Sequence, residues 1–116
     1  MQNNKINKLL RIFVSSTDRI SGDLLYEKIV YMAKEQNLAG ATVLRGVLGF
    51  GASSVIHSSK FWELTEKLPM VIEIIDEDEK IINFYQQIEP ILKEMPKGCL
   101  ATIDPVNVLL YKPGNK

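Results

Sequence analysis

The pattern of apolar and polar positions predicts strands and helices in a regular order. Four short apolar segments rich in strand-forming residues predict the main strands: 9–14, 42–50, 70–75 and 106–111. A further short strand is expected at 100–103. Apolar residues recur every three or four positions over 23–36 and 77–95, which predicts two amphipathic helices, with Pro90 expected to kink or end the second. The element order is therefore βαββαβ.

This order predicts an α+β, ferredoxin-like fold. Such a fold has a four-stranded antiparallel sheet with both helices on one face. The chain has 116 residues, of which 46% are apolar, so it is long enough to bury a core. We therefore expect one domain spanning residues 1–116.

The sheet face away from the helices, called the open face below, is predicted to be unusually apolar. If Leu44 and Leu48 point to the helices, period-two alternation directs their neighbours to the open face. An antiparallel sheet that faces water normally carries polar residues there, so self-association is the expected cover. The charged members of this face are expected to form a cross-strand cluster that includes Arg11. The predicted assembly face consists of Phe13, Val43, Arg45, Val47, Val71, Glu73 and Ile75.

Charge and cysteine content exclude several classes of function. Fourteen basic residues balance fourteen acidic ones, so no net charge draws the protein to nucleic acid or anionic lipid. No apolar run approaches the roughly 20 residues of a membrane span. The single cysteine and the polar N-terminal segment indicate a cytoplasmic protein.

Residues able to perform catalysis or bind metal are sparse. His57 is the only histidine and has no local cluster of supporting groups. Cys99 is expected on an apolar strand, where a free cysteine acts as a small hydrophobe. Capping and the helix dipole account for the acidic run "DEDE" at 76–79. We therefore predict no enzyme activity, no metal site and no required cofactor.

Two stretches of the chain carry a family resemblance. "ATVLRGVLGFG" at 41–51 and "IHSSKFWELTEKLPMVIEIID" at 56–76 resemble the domain-of-unknown-function 190 family, whose members have the fold of the PII signalling proteins. The resemblance extends over residues 9–111. It implies a homotrimer packed through its sheets, with a ligand cleft between subunits that binds adenine nucleotides in PII proteins. It also implies a long loop that signals the ligand state to partner proteins.

The resemblance also implies where a ligand would bind. The glycine-phenylalanine-glycine turn approaches the nucleotide in PII proteins, and glycines let backbone amides come close to a ligand. The same glycines would equally suit a β-bulge, and an exposed position at a helix C-terminus, favoured by the helix dipole, is the simpler explanation of the lysine after the second helix. Ala52, Ser53 and Met70 replace polar ligand contacts of PII. The predicted ligand residues are Gly46, Gly49, Phe50, Gly51, Lys97 and Gly98.

The connection at 52–67 is longer than a hairpin needs. Loops beyond about 12–15 residues tend to be functional or disordered. Its aromatic residues either dock in a partner's pocket or fold as a short helical turn onto the trimer. The predicted partner-binding residues are His57, Phe61, Trp62 and Leu64.

Two functions remain open from the sequence. The first is a PII-like regulatory homotrimer that binds a small anionic ligand, an adenine nucleotide being the leading candidate, between subunits and signals through the loop 52–67. The second is a ligand-independent interaction module that docks on a membrane transporter or an enzyme.

Overall fold

The computed structural model describes residues 5–50, 57–58 and 67–115. Its helices are α1 (Leu25–Glu35) and α2 (Asp78–Glu94). Its strands are β1 (Asn7–Ser15), β2 (Arg19–Ile20), β3 (Asp23–Leu24), β4 (Thr42–Arg45), β5 (Leu48–Gly49), β6 (His57–Ser58), β7 (Pro69–Glu77) and β8 (Leu100–Val106).

The main sheet has four antiparallel strands in the order β4-β7-β1-β8. Both helices pack on one face of it, so the predicted ferredoxin-like fold is confirmed. The core lies between the helices and the inward side chains of the two central strands. Its fully buried members include Leu10, Ile12, Leu25, Ile29, Ile72, Ile74, Ile81, Phe84 and Ile88. Neither helix in the described part of the chain is long and apolar enough to cross a membrane.

Helix α2 continues through Pro90 to Glu94, so the expectation of a possible end at Pro90 was wrong. Pro90 is exposed, while Ile88 and Leu92 on either side of it are buried in the core. Proline removes one helical hydrogen bond, but burial of the apolar stripe before and after it holds the last turn in place.

The acidic run at the start of α2 combines a predicted role with one that was not predicted. Asp78 and Glu79 lie in the first turn of α2, as expected from the helix dipole. Asp76 is buried in β7, and its two carboxylate oxygens accept hydrogen bonds from the backbone amides of Ala39 and Glu77, at 2.8 and 2.7 Å. Glu77, the N-cap residue, makes no side-chain capping bond. Asp76 therefore ties the segment after α1 to the sheet.

The second predicted strand is interrupted rather than continuous. Strand β4 ends at Arg45, and β5 leaves β7 to pair with β6, Leu48 opposite Ser58 and Gly49 opposite His57. At the break, the Gly46 amide donates a hydrogen bond to the Pro69 carbonyl at 2.7 Å. A Cβ atom on Gly46 would lie 2.6 Å from Pro69 Cγ, closer than real contacts allow. Gly46 therefore serves a bend packed against Pro69.

The inward and outward residues of β4 are opposite to the prediction. Val43 pairs with the buried Ile72 and packs against the core, and Arg45 pairs with the buried Met70. Opposed residues share a face, so Val43 and Arg45 do not lie on the open face. The error has a simple cause: apolar residues occur at both 43 and 44, so a one-residue change of phase fits the pattern equally well.

The predicted open-face residues of β1 and β7 do share that face. Register pairs Phe13 with Val71 and Arg11 with Glu73, and Ile75 lies two residues further along β7. Thr42 and Leu44 of β4 complete it in place of Val43 and Arg45. Val47 lies outside the sheet, between β4 and β5.

The charge cluster on the open face is confirmed in part. Arg11 Nε lies 2.8 Å from a Glu73 carboxylate oxygen, and Arg11 Nη1 lies 3.9 Å from Asp104. Asp104 of β8 thus belongs to the cluster, whereas Arg45, on the other face, does not.

The last strand of the sheet lies earlier than predicted. Strand β8 runs from Leu100 to Val106 along β1, and residues 107–115 form no strand. The predicted main strand at 106–111 was therefore wrong. Pro105 lies in β8 because this strand forms the edge of the sheet, where a residue without an amide proton removes no ladder bond on its outer side.

Candidate ligand cleft

A cleft of about 450 Å³ opens where β1 ends and where β7 and β8 begin. Four separate parts of the chain form it: the end of β1 with the turn after it, the end of β5, the residues around Pro69, and the segment between α2 and β8. The lining residues are Phe13, Val14, Ser15, Asp18, Gly49, Phe50, Lys67, Leu68, Pro69, Lys97, Gly98, Cys99 and Leu100.

Four of the predicted ligand residues meet in this cleft. Gly49 ends β5 and Phe50 follows it, while Lys97 and Gly98 come from the segment after α2. Gly46 does not line the cleft but packs behind Pro69, which does. Gly51 lies outside the described residues. The fold thus brings together two short motifs that are far apart in the sequence.

Hydrogen bonds between main-chain segments fix the floor of the cleft. The Ser16 amide donates to the Leu68 carbonyl at 2.8 Å, and the Leu68 amide donates to Ser16 Oγ at 3.0 Å. Leu68 itself is buried. The end of β1 and the start of β7 are therefore held together directly beneath the cleft.

The walls combine apolar surface with positive charge. Phe13, Phe50 and Leu100 offer apolar surface, and Phe50 is 68% exposed in the isolated chain. Lys67 and Lys97 supply two ammonium groups. Ligand sites typically pair such apolar walls with a few convergent polar groups. This arrangement can hold a flat apolar group beside an anionic one.

Asp18 is a cleft residue that the sequence analysis missed. It is only 3% exposed, and its Oδ2 accepts a hydrogen bond from the Ser15 amide at 2.8 Å. Its backbone is fixed as well, with its amide bonded to the Ser15 carbonyl and its carbonyl to the Leu25 amide. Asp18 Oδ1 is buried without a partner. Leaving a buried acceptor unpaired costs about 1–3 kcal/mol.

A sequence signal for Asp18 did exist. The segment "SSTD" follows directly on the first strand, and an aspartate there commonly bonds a nearby backbone amide to form a turn. That signal predicts the bond to Ser15 but not the second, unpaired oxygen, because the cleft that surrounds it comes from distant residues.

Cys99 lies in the cleft and not in the core, which corrects the sequence prediction. It is exposed and precedes β8. Partial burial of the sulfur raises the pKa of the thiol, and the negative charge of Asp18 raises it further. The thiol is therefore less easily ionised than an ordinary cysteine.

The predicted partner-binding residues fall largely outside the described part of the chain. Phe61, Trp62 and Leu64 lie there, and His57 contributes its backbone to β6. The short ladder between β5 and β6 was not predicted from the sequence.

The cleft adjoins the open face. Phe13 and Leu100 are register partners on that face, and both also line the cleft. Any molecule packed on the open face near these two residues would lie against the mouth of the cleft.

Comparison with known proteins gives relatives in sequence and in structure. A UPF0166 protein of Aquifex aeolicus is 44% identical over 82 residues, 71% of this chain and 78% of that protein. The structure of CPII, a nitrogen regulatory PII-like protein of Thiomonas intermedia bound to ADP, AMP and bicarbonate, superimposes with a TM-score of 0.62 at 12% identity, covering 89% of this chain and 90% of CPII.

A second similar structure comes from Thermus thermophilus. The protein TTHA0516, described as PII-like and signalling, superimposes with a TM-score of 0.62 at 18% identity and covers 88% of each chain. Both structural likenesses show the fold. The model of the family DUF190, described as "Uncharacterized ACR", matches residues 7–108. The chain therefore belongs to the DUF190 family and has a PII-like fold.

Proposed function

We propose that this protein is a PII-like regulatory protein without catalytic activity, a homotrimer that binds a small anionic ligand in the cleft. An adenine nucleotide is the ligand we expect. The observation that carries the proposal is the convergence of Gly49 and Phe50 with Lys97 and Gly98 around one cavity. The loop 52–67 is proposed to communicate the bound state to a protein partner.

The walls of the cleft suit the two halves of a nucleotide. A base would pack on the exposed ring of Phe50, since aromatic surfaces stack on flat ligands. Phosphate oxygens would lie near Lys97 and Lys67, whose ammonium groups donate charge-assisted hydrogen bonds. ADP and AMP, which are bound in the CPII structure together with bicarbonate, belong to the same chemical class.

A second subunit is proposed to complete the site. The open face carries Phe13 and Leu100 up to the mouth of the cleft, so a copy packed there would cover the ligand from one side. Binding between subunits would couple ligand to assembly, because a ligand that binds only the assembled state stabilises it by mass action.

Calorimetric titration of the purified protein with ATP, ADP and AMP tests the proposal. We expect at least one of them to bind at sub-millimolar concentration. Substitution Lys97→Ala should weaken that binding about tenfold or more, because a hydrogen bond to a charged group is worth about 1.5–3 kcal/mol.

The matched control is Lys34→Ala, which removes the same charge from the exposed end of α1, away from the cleft. It should bind like the parent protein. If no nucleotide binds the parent at millimolar concentration, the nucleotide is excluded and the ligand-independent interaction module becomes the better account.

Hydrogen exchange measures the proposed signalling. Backbone amides of 52–67 should gain protection when the nucleotide is added, because ordering by a ligand lowers the population of open states. If the nucleotide binds without changing the protection of this segment, the cleft is a nucleotide site but the loop does not signal its occupancy.

A further inference from the structure

Asp18 has one carboxylate oxygen whose role is accounted for and one whose role is not. Oδ2 closes the turn after β1 through the Ser15 amide. Oδ1 is buried, faces no donor in the described part of the chain, and belongs to a residue that lines the cleft. Buried polar atoms in native proteins nearly always have a partner, so an exception invites an explanation by function.

Two other polar residues of the cleft do not satisfy this oxygen. Lys97 and Cys99 line the same cleft, yet neither forms an ion pair or hydrogen bond with Asp18 in the structure. The carboxylate is also fixed: its own turn and the bond from the Leu25 amide to its carbonyl hold it in place. It is a fixed acceptor without a partner, on a residue that lines the cavity.

We propose that Asp18 is a specificity-determining residue, and that its Oδ1 accepts a hydrogen bond from a hydroxyl or amino group of the ligand. The inference rests on the proposed function of the cleft and narrows its ligand class. The cleft selects a molecule that is anionic at the lysines and carries a neutral or cationic donor where it meets Asp18. Inorganic phosphate or a simple polyanion fails the second requirement.

The requirement follows from the chemistry of an ionised carboxylate. It can only accept hydrogen bonds, so it repels a second anionic oxygen and rewards a donor. Sites that hydrogen-bond a ligand group reject analogues that lack it, because their buried polar atom is left unpaired. In an adenine nucleotide the candidate donors are the ribose hydroxyls and the exocyclic amine of the base.

The first test removes the donor from the ligand and leaves the protein intact. The parent protein is titrated with ADP, with 2′,3′-dideoxy-ADP, which lacks the hydroxyls, and with inosine diphosphate, which lacks the amine. We expect one analogue to bind about ten- to a hundredfold more weakly than ADP. The analogue that loses affinity identifies the donor. If both analogues bind as tightly as ADP, the inference is overturned.

The second test changes the acceptor. In Asp18→Asn the amide oxygen can still accept from Ser15, while the amide nitrogen replaces the free acceptor by a donor. The variant should bind ADP about ten- to a hundredfold more weakly than the parent does. The analogue that lacks the matching donor should bind the variant about as tightly as ADP does. Asp23→Asn is the control, because it removes the same charge at an exposed position of β3 outside the cleft.

The outcomes separate this inference from the proposed function. If ADP binds the parent and Asp18→Asn equally, the cleft is a nucleotide site and Asp18 only closes its turn. If ADP, ATP and AMP all fail to bind the parent, the proposed function and this inference fall together. Thermal melting followed by circular dichroism checks the fold of each variant, and the analogue titrations of the parent decide the matter if Asp18→Asn does not fold.

Discussion

Partial burial raises the pKa of Cys99, and Asp18 raises it further although the two residues are far apart in the sequence. The carboxylate disfavours a second negative charge nearby, and partial burial adds to this by removing water from the sulfur. The reactive form of a cysteine is the thiolate. At the scale of single residues, the cleft therefore protects an accessible thiol from reaction at neutral pH.

This protection can be measured as a pH profile. The rate of Cys99 alkylation by iodoacetamide should rise with pH around a midpoint above that of an ordinary thiol. Because the raised pKa has burial as its larger cause and Asp18 as its smaller one, Asp18→Asn should move the midpoint down only part of the way. Asp23→Asn should leave it unchanged. A midpoint in Asp18→Asn equal to that of the parent would show that the carboxylate does not act on the thiol.

At the scale of elements, periodicity correctly predicted the long strands and helices that bury only one face. Strand β7 alternates cleanly between the core and the open face, and α2 presents one apolar stripe over its whole length. The phase of β4 was wrong because two apolar residues are adjacent, and the last main strand was misplaced because residues 106–111 are also largely apolar. In both cases the deciding contact comes from a distant strand and leaves no local pattern.

The same distinction applies to the candidate site. Gly49, Phe50, Lys97 and Gly98 were identified through a family resemblance, which carries information about distant contacts. Asp18 and Cys99 were not, since only the folded chain places the turn after β1 beside the segment before β8. The family resemblance therefore predicted the two motifs of the cleft, while the unpaired carboxylate oxygen of Asp18 could be found only in the structure.

The break between β4 and β5 depends on the absence of a side chain at Gly46. Substitution Gly46→Ala would place a methyl group 2.6 Å from Pro69 Cγ, and the proline ring is stiff. We expect overpacking to lower the free energy of unfolding by about 1–3 kcal/mol, measured by urea denaturation.

Gly40→Ala is the matched control for this glycine. A Cβ at Gly40 meets nothing within 4 Å, and Gly40 has no positive φ. The free energy of unfolding should be unchanged or higher by about 0.4–1 kcal/mol, since alanine restricts the unfolded chain. Equal stability of the two variants would show that the bend yields to a methyl group.

At the scale of the whole molecule, the open face leaves large apolar side chains exposed in the isolated chain. Leu44 is 48% and Ile75 39% exposed, and both lie on the same sheet face as Phe13. The guanidinium group of Arg11 is paired with the carboxylates of Glu73 and Asp104 on neighbouring strands. This face can therefore pack against a second copy without burying an unpaired arginine.

We expect the protein to sediment at three times its chain mass of 13.1 kDa and Ile75→Lys to dissociate it. A lysine on the open face would place an unpaired charge inside the interface. Ile82→Lys is the control, since Ile82 is 40% exposed but lies on α2. Analytical ultracentrifugation at micromolar concentration distinguishes trimer from monomer in the parent and both variants. A monomeric parent protein would contradict both the proposed trimer and the proposed cleft between subunits.

The central position of β1 has a consequence for how the chain is made. β1 is synthesised before the other strands of the sheet, but both its neighbours, β7 and β8, come from the second half of the chain. The first half of the chain can therefore build α1 but no part of the four-stranded sheet around β1. Pairing of β1 must wait for β7, so folding relies on contacts distant in sequence and is expected to be slow. Until then the apolar β1 remains an unpaired strand on the nascent chain, open to wrong partners.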